Sequence, residues 1–351
     1  MEEYDLILRQ ARLMRESEEQ DLGIRDGKIV TISPSLEAPS ARTISCEGNL
    51  LLPPFVDSHF HLDTVLSLEE IGENKSGTLF EGIQLWKEHK RTLTAERIYE
   101  RADAYCRMAV AKGLLFIRSH VDVSHPDLPG VEALVALKKA WKGIVDIELV
   151  AFPQDGYLRN PQAPQLLKKA LDQGVDVVGG IPHFERTQND GEESVRQLCQ
   201  LAADRGIPID LHCDETDDSS SRHVAVLAKH VVEMGLQGRA TASHTTSLHS
   251  VDDAFFEKLA PLLTEAEISV VANPLINITL QGRLDHYPKR RGITRIPELL
   301  QAGVNVAAGL DCVLDPWYAL GTGDLLEAAH MVYHASQMTG AEDLRTLLDL
   351  V

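Results

Sequence analysis

Hydrophobic positions in residues 1 to about 50 alternate in short pieces, Tyr4 to Leu8 and Lys28 to Ile32, separated by turn residues such as Arg25-Asp26-Gly27. This pattern predicts small antiparallel strands. From Leu51 the pattern changes, and apolar runs of strand length alternate with amphipathic stretches of helical period. Such alternation is the signature of right-handed βα units around a parallel sheet. Strands are predicted at Leu51 to Asp57, Leu114 to His120, Ile147 to Phe152, Val175 to Gly179, Pro208 to His212, Ala240 to Ser243, Ser269 to Ala272 and Val304 to Ala308, eight in all. Helical patterns lie between most of them, for instance Glu132 to Lys142, Pro164 to Asp172, Ser194 to Asp204 and Ser221 to Met234. Eight units in this length predict an α/β fold, a closed (β/α)₈ TIM barrel over residues 51–351, with residues 1–50 as a small β-sandwich-type satellite domain.

Composition narrows the class. The 351 residues carry 34 Lys and Arg against 53 Asp and Glu, a formal charge of −19, and 44% are hydrophobic. A disordered or fibrous chain is excluded. The negative balance repels phosphate backbones, and the only compact basic run is Lys289-Arg290-Arg291, so nucleic acid is not an expected partner. Five cysteines without a CxxC pair indicate a reduced compartment. The acidic start Met1-Glu2-Glu3-Tyr4-Asp5 is unlike a signal peptide, and no apolar run reaches the ~20 residues of a membrane span, so a cytoplasmic protein without a membrane partner is expected.

In such a barrel the chemistry sits where strands end and βα loops begin. Strand one ends Asp57-Ser58-His59-Phe60-His61, which places two imidazoles at i and i+2, ~7 Å apart on one side of an extended chain. Strand five ends His212-Cys213-Asp214-Glu215, strand six Ala242-Ser243-His244, and strand eight runs into Gly309-Leu310-Asp311. His59, His61, His212 and Asp311 form a nitrogen and oxygen set suited to one divalent ion, Fe²⁺ or Zn²⁺, with an open position for water. Such an ion lowers the pKa of its water from ~15.7 toward ~7. Glu215, three residues after His212, is placed to act as a general acid, and His244 to accept a hydrogen bond from the activated water or to polarise it. The predicted fourth strand lacks the lysine that a carboxylate-bridged pair of ions needs, which points to one metal.

Beyond these residues the chain resembles the cytosine deaminase branch of the amidohydrolase superfamily. The resemblance runs through Pro53-Pro54-Phe55-Val56-Asp57-Ser58-His59-Phe60-His61, Gly77-Thr78-Leu79-Phe80-Glu81, Val150-Ala151-Phe152-Pro153-Gln154, Ile181-Pro182-His183-Phe184-Glu185 and His212-Cys213-Asp214-Glu215. It continues through Thr241-Ala242-Ser243-His244, Ala272-Asn273-Pro274-Leu275, Gln281 to Ile293 and Asp315-Pro316-Trp317-Tyr318. It implies hydrolytic deamination of a free pyrimidine base, ammonia as co-product, and a homo-oligomer. Residue by residue, it implies His59, His61, His212 and Asp311 as ligands of a single Fe²⁺ or Zn²⁺, and Gln154 as the partner of the ring's carbonyl and N–H edge. It further implies Glu215 as the proton shuttle to N3 and His244 as the partner of the attacking oxygen, beside Asp311. A carboxamide offers one donor and one acceptor, the complement of O2 and N1–H on cytosine.

Two departures stand out. Where the branch carries a second Asp after strand eight, this chain has Cys312, preceded by the apolar Leu310. A smaller and less polar wall beside C5 is expected to favour C5-substituted rings such as 5-methylcytosine or 5-fluorocytosine by about 1 kcal/mol. The plainer reading makes Cys312 a packing residue. Trp317 is expected to form a wall able to stack on a flat base, and His120 and Asp122 to hold neighbouring loops by hydrogen bonds. The chain also stops at Val351, where relatives return strands to the satellite sheet; its C-terminal half is expected to be missing, leaving unpaired edges, an uncovered apolar face and lower stability. Rival readings are a deaminase of another cyclic amidine (isocytosine, creatinine or an s-triazine) and an inactive metal-binding paralogue.

Overall fold

Residues 4–351, described by a computed structural model, begin with strands β1 (Tyr4–Leu13), β2 (Glu19–Arg25), β3 (Lys28–Ser33), β4 (Ser40–Ser45) and β5 (Leu50–Leu51). They form one mixed sheet in the order β3-β2-β1-β4, with β5 pairing on β1. As the alternation predicts, β1 and β2 are antiparallel, as are β2 and β3, and the latter pair is joined through Asp26 and Gly27, both at positive φ. Strands β4 and β5 instead run parallel to β1. Ile7 and Leu22 are buried, whereas the edge strand β3 leaves Ile29, Val30 and Ile32 largely exposed. This unit ends at Pro54.

The second unit, Phe55–Val351, is the barrel. Its first strand, β6, spans Phe55–Phe60 and not the predicted Leu51 to Asp57. Pro53 and Pro54 have no N–H to offer a ladder, so the extended run breaks there, and Leu50–Leu51 pairs in the satellite sheet. The remaining strands are β7 (Leu114–Asp122), β8 (Asp146–Phe152), β9 (Val177–Gly180), β10 (Ile209–Cys213), β11 (Ala240–His244), β12 (Ser269–Ala272) and β13 (Asn305–Ala308). All eight pair in parallel and in sequence order. The ring closes where the loop after β13 meets β6: Asp311 N donates to His59 O (2.9 Å), and His61 N donates to Asp311 O (3.1 Å). Three of the four predicted metal ligands therefore sit on the closing seam.

Helices cover the barrel because each buries one apolar stripe. In Ala95–Ala111 the buried residues Ile98, Ala102, Tyr105, Cys106 and Ala109 recur at three- and four-residue spacing, and the Thr94 hydroxyl caps the first turn by accepting from Arg97 N. The helix predicted at Ser194 to Asp204 begins earlier, at Gln188, where Thr187 caps it; its polar first turns carry no apolar period to reveal them. No helix among the described residues is long and apolar enough to cross a membrane. Gly179 permits the close approach of β9 to β8, since a Cβ there would lie 2.4 Å from Ala151 O. That contact explains the Gly179-Gly180 pair, which has no phosphate-loop spacing.

Candidate metal centre and catalytic pocket

His59 and His61 leave the end of β6, His212 lies in β10, and Asp311 follows β13. All four are at most 8% exposed. His61 Nε2 lies 3.2 Å from His212 Nε2, and Asp311 Oδ1 lies 3.5 Å from His59 Nε2 and 3.4 Å from His61 Nε2. Ligand atoms at ~2.0–2.1 Å around a tetrahedral ion are separated by about 3.4 Å, so the set has the spacing a single ion requires. His59 Nε2 has no hydrogen-bond partner, the condition of a lone pair left for a cation.

The ring of His59 is fixed from behind. Its Nδ1 lies 2.8 Å from Ser243 Oγ, and that hydroxyl donates to Asp210 Oδ1 at 2.8 Å. The serine proton is thus committed to Asp210, so His59 Nδ1 is the donor and Nε2 keeps its lone pair toward the centre. Asp210 also accepts from Arg118, which binds Glu148 as well. The Phe152 ring stacks on His212 with centroids 3.9 Å apart. Burial lowers the pKa of His61 to about 4 and those of His212 and His244 well below the imidazole range, so these rings are neutral at pH 7, as metal ligation requires. Against its burial, Asp311 is held below the usual carboxylate range by the imidazoles of His59, His244 and His61 that surround it.

The other predicted residues gather on the same side. Glu215 is 7% exposed, and its Oε1 lies 3.6 Å from His244 Nδ1; burial, together with the neighbouring Asp311, raises its pKa well above the carboxylate range. His244 Nδ1 also lies 3.9 Å from Asp311 Oδ2 and 3.0 Å from Asn277 Nδ2. A cavity of about 300 Å³ is lined by His61, His212, Glu215, His244 and Asp311, by Gln154, Cys312 and Trp317, and by an apolar group that includes Ile276 and Leu280. Gln154 is 8% exposed, yet among the described residues its carboxamide has no hydrogen-bond partner. Burial first, then the charges of Asp315 and Asp311, pushes the Cys312 thiol well above its ordinary pKa, so this wall is a neutral thiol.

Several features were not legible beforehand. His120 does not hold loops by hydrogen bonds: both ring nitrogens lack a partner, because the ring is fully buried against His59 and His212. Asp122 does hold its surroundings, accepting from Trp86 Nε1, Lys90 Nζ and Ser124 N. His183, which lines the cavity, donates from Nδ1 to His212 O (3.1 Å). Arg290 of the basic run is engaged with Asp285 and Ser250, and Arg291 with two carbonyls, so neither presents a free phosphate site. The inward polar strand ends at Asp210 and Ser243 were the available signal for the support behind His59.

Comparison with known proteins agrees with this geometry. The amidohydrolase family pattern matches residues 42–128 and 128–351. A solved structure of 5-methylcytosine deaminase from Klebsiella pneumoniae, liganded with 5-fluorocytosine, is similar at 41% identity and a TM-score of 0.95, covering 98% of this chain and 84% of that one. N-isopropylammelide isopropyl amidohydrolase of a Pseudomonas species is 27% identical over 99% of this chain and 84% of its own length. A pterin deaminase of Rhizobium rhizogenes is 31% identical over 88% of this chain and 70% of its own. With a family pattern that spans most of its length and the metal-binding geometry described above, the chain belongs to the amidohydrolase family and is a hydrolase acting on carbon–nitrogen bonds.

Proposed function

We propose that the protein hydrolytically deaminates a free cytosine-type base, releasing ammonia, and that it accepts 5-methylcytosine at least as well as cytosine. The observation that carries this reading is one cavity lined by an unpartnered carboxamide, Gln154, a buried acid, Glu215, and the His and Asp cluster. A divalent cation, Fe²⁺ or Zn²⁺, held by His59, His61, His212 and Asp311 supplies Lewis acidity that acidifies water.

The protein's own residues do the rest. Gln154 pairs with the O2 and N1–H edge and fixes the ring in the cavity. Glu215 donates its proton to N3, which makes C4 electrophilic. His244, its ring neutral, and Asp311 hold the attacking water by hydrogen bonds against C4. The water oxygen bonds to C4, one of its protons restoring Glu215 and the other passing to the amine; the C4–N bond then breaks, ammonia leaves, and a carbonyl remains at C4. Trp317 forms a wall for the flat ring. Cys312, packed with Ile276 and Leu280, forms the apolar side suited to a C5 methyl group.

Ammonia release from cytosine and 5-methylcytosine, in the parent protein and in Cys312→Asp, tests the assignment. The substitution is expected to lower the kcat/KM ratio of 5-methylcytosine to cytosine by about fivefold or more, the equivalent of ~1 kcal/mol for one apolar group against a charge. An unchanged ratio removes the role of Cys312, and no ammonia from either base removes the substrate class. The likeness to enzymes named for N-isopropylammelide and pterin favours, as a second reading, another cyclic amidine, and isocytosine, creatinine and an s-triazine in the same assay decide it.

A further inference from the structure

The loop after β8 that carries Gln154 is tied, just beyond that residue, to segments following both neighbouring strands, β7 and β9. On one side Asp155 N donates to Ser124 Oγ (3.1 Å), and Asp155 Oδ2 accepts from Lys90 Nζ (2.8 Å), which also binds Asp122 at the end of β7 (3.2 Å). On the other side, three consecutive backbone N–H groups point at one side chain. Tyr157 N and Leu158 N donate to Glu185 Oε1 at 2.6 and 2.9 Å, and Arg159 N donates to Glu185 Oε2 at 2.7 Å. Glu185 follows β9, is 9% exposed and lines the catalytic cavity. The loop can turn this tightly because Gly156 adopts φ +89°, and a Cβ there would lie 2.8 Å from Arg159 Cβ and 3.3 Å from Glu185 Oε2. Arg159 completes the tie, its guanidinium 4.4 Å from the Phe184 ring centroid and its Nη1 3.2 Å from Phe184 O.

A carboxylate that accepts three backbone N–H bonds spends its acceptor capacity on the loop and has little left for substrate. Its location in the cavity wall therefore does not make it an acid or base. We infer that Glu185 is a positioning residue: by gathering the N–H groups of residues 157–159 it sets the height and orientation of Gln154, and so the recognition of the base's carbonyl and N–H edge. The inference rests on the reading of Gln154 given above. Among the described residues the Gln154 carboxamide has no hydrogen-bond partner, and only its backbone N is held, donating to Phe152 O (3.0 Å), so its aim is decided by where the loop backbone is held. Displacing a substrate-positioning group by an ångström weakens both binding and alignment.

A double-mutant cycle between Glu185 and Gln154 tests this on the metal-loaded protein, with cytosine and 5-methylcytosine as substrates. Glu185→Gln, close in shape but with one acceptor oxygen fewer, is expected to raise KM by about tenfold or more, with bound metal unchanged. Glu185→Asp, which keeps the charge but shortens the reach, is expected to give an intermediate KM. In a Gln154→Ala background, itself raised in KM, the same Glu185 substitutions are expected to add less than about twofold, because there is no longer a carboxamide to aim. A purely structural Glu185 would instead lower thermal stability and the active fraction while leaving the KM of the folded protein as it was, and that outcome overturns the inference. An equal KM increase in both backgrounds also overturns it. If Gln154→Ala leaves KM at the parent value, the base-edge reading falls, and this inference with it; if Gln154→Ala raises KM while both Glu185 variants leave it alone, only the inference falls.

Discussion

At the level of single residues, the site separates two carboxylates by environment. Asp311 sits among imidazoles that hold its pKa down, whereas burial and the Asp311 charge push that of Glu215 up. A group proposed to donate a proton to N3 loses function when it ionises, so kcat/KM is expected to fall as pH rises through the raised Glu215 pKa. Glu215→Gln is expected to lower kcat by about 10²- to 10⁴-fold and to abolish that alkaline limb, with metal content unchanged by elemental analysis. The acid side has a different origin. His61 and His183 are buried with pKa values lowered to about 4, while an unfolded histidine titrates near ~6.5. Between those values the unfolded chain binds more protons than the native one, so the contribution of these rings is complete above ~6.5 and is lost as pH falls toward about 4. Melting temperature measured on metal-free protein is expected to decline across that window, and a flat profile would contradict it.

At the level of elements, strand ends and helix faces deliver the chemistry through unusual backbone. Asp214, His244 and Asp311, each at the end of a strand or just beyond it, take left-handed φ values of 54°, 71° and 65°. Residues that are not glycine pay for that conformation, and here it swings the chain so that successive side chains serve the site and the loop below it. Asp214 shows the second use: its buried carboxylate accepts from Ser221, His223 and Val224 and ties the loop carrying Glu215 to the helix His223–Glu233. The helix Leu79–His89 contributes by leaving space. A Cβ on Gly82 would lie 2.6 Å from Trp317 Cδ1, so the indole packs on bare backbone there. Gly82→Ala is expected to push Trp317 and raise KM by about three- to tenfold while metal content stays constant. An unchanged KM would place Trp317 outside base recognition.

Over the whole molecule, a cation at the proposed site would join parts of the chain that are far apart in sequence: residues 59 and 61, 212 and 311. Bound at a hundredfold over its dissociation constant, such a ligand stabilises the fold by about 2.7 kcal/mol. Chelation is therefore expected to abolish ammonia release and lower the melting temperature by several degrees, and both should return with one equivalent of Fe²⁺ or Zn²⁺ per chain. The net charge of −19 bears on the substrate too. A neutral base is not steered by that field, so kcat/KM is expected to change by less than about twofold between roughly 50 and 500 mM salt. A strong salt dependence would instead point to an ionic substrate.

The strand periodicity, the His-x-His pair and the polar residues at predicted strand ends were sufficient to name a TIM barrel and its candidate ligands, because side-chain alternation and the position of βα loops are local properties of the chain. Local pattern also misplaced the first barrel strand, since apolar character at Leu51 and Leu52 does not register the missing N–H groups of Pro53 and Pro54. Closure of β6 on the segment after β13 put His59, His61 and Asp311 on one seam, and only that long-range pairing fixes the 3.4–3.5 Å separations of Asp311 from the two imidazoles. The serine–aspartate support behind His59, the raised pKa of Glu215 and the hold of Glu185 on the Gln154 loop are likewise tertiary. Each depends on burial and on partners from other βα units, which neighbouring residues in the sequence do not specify.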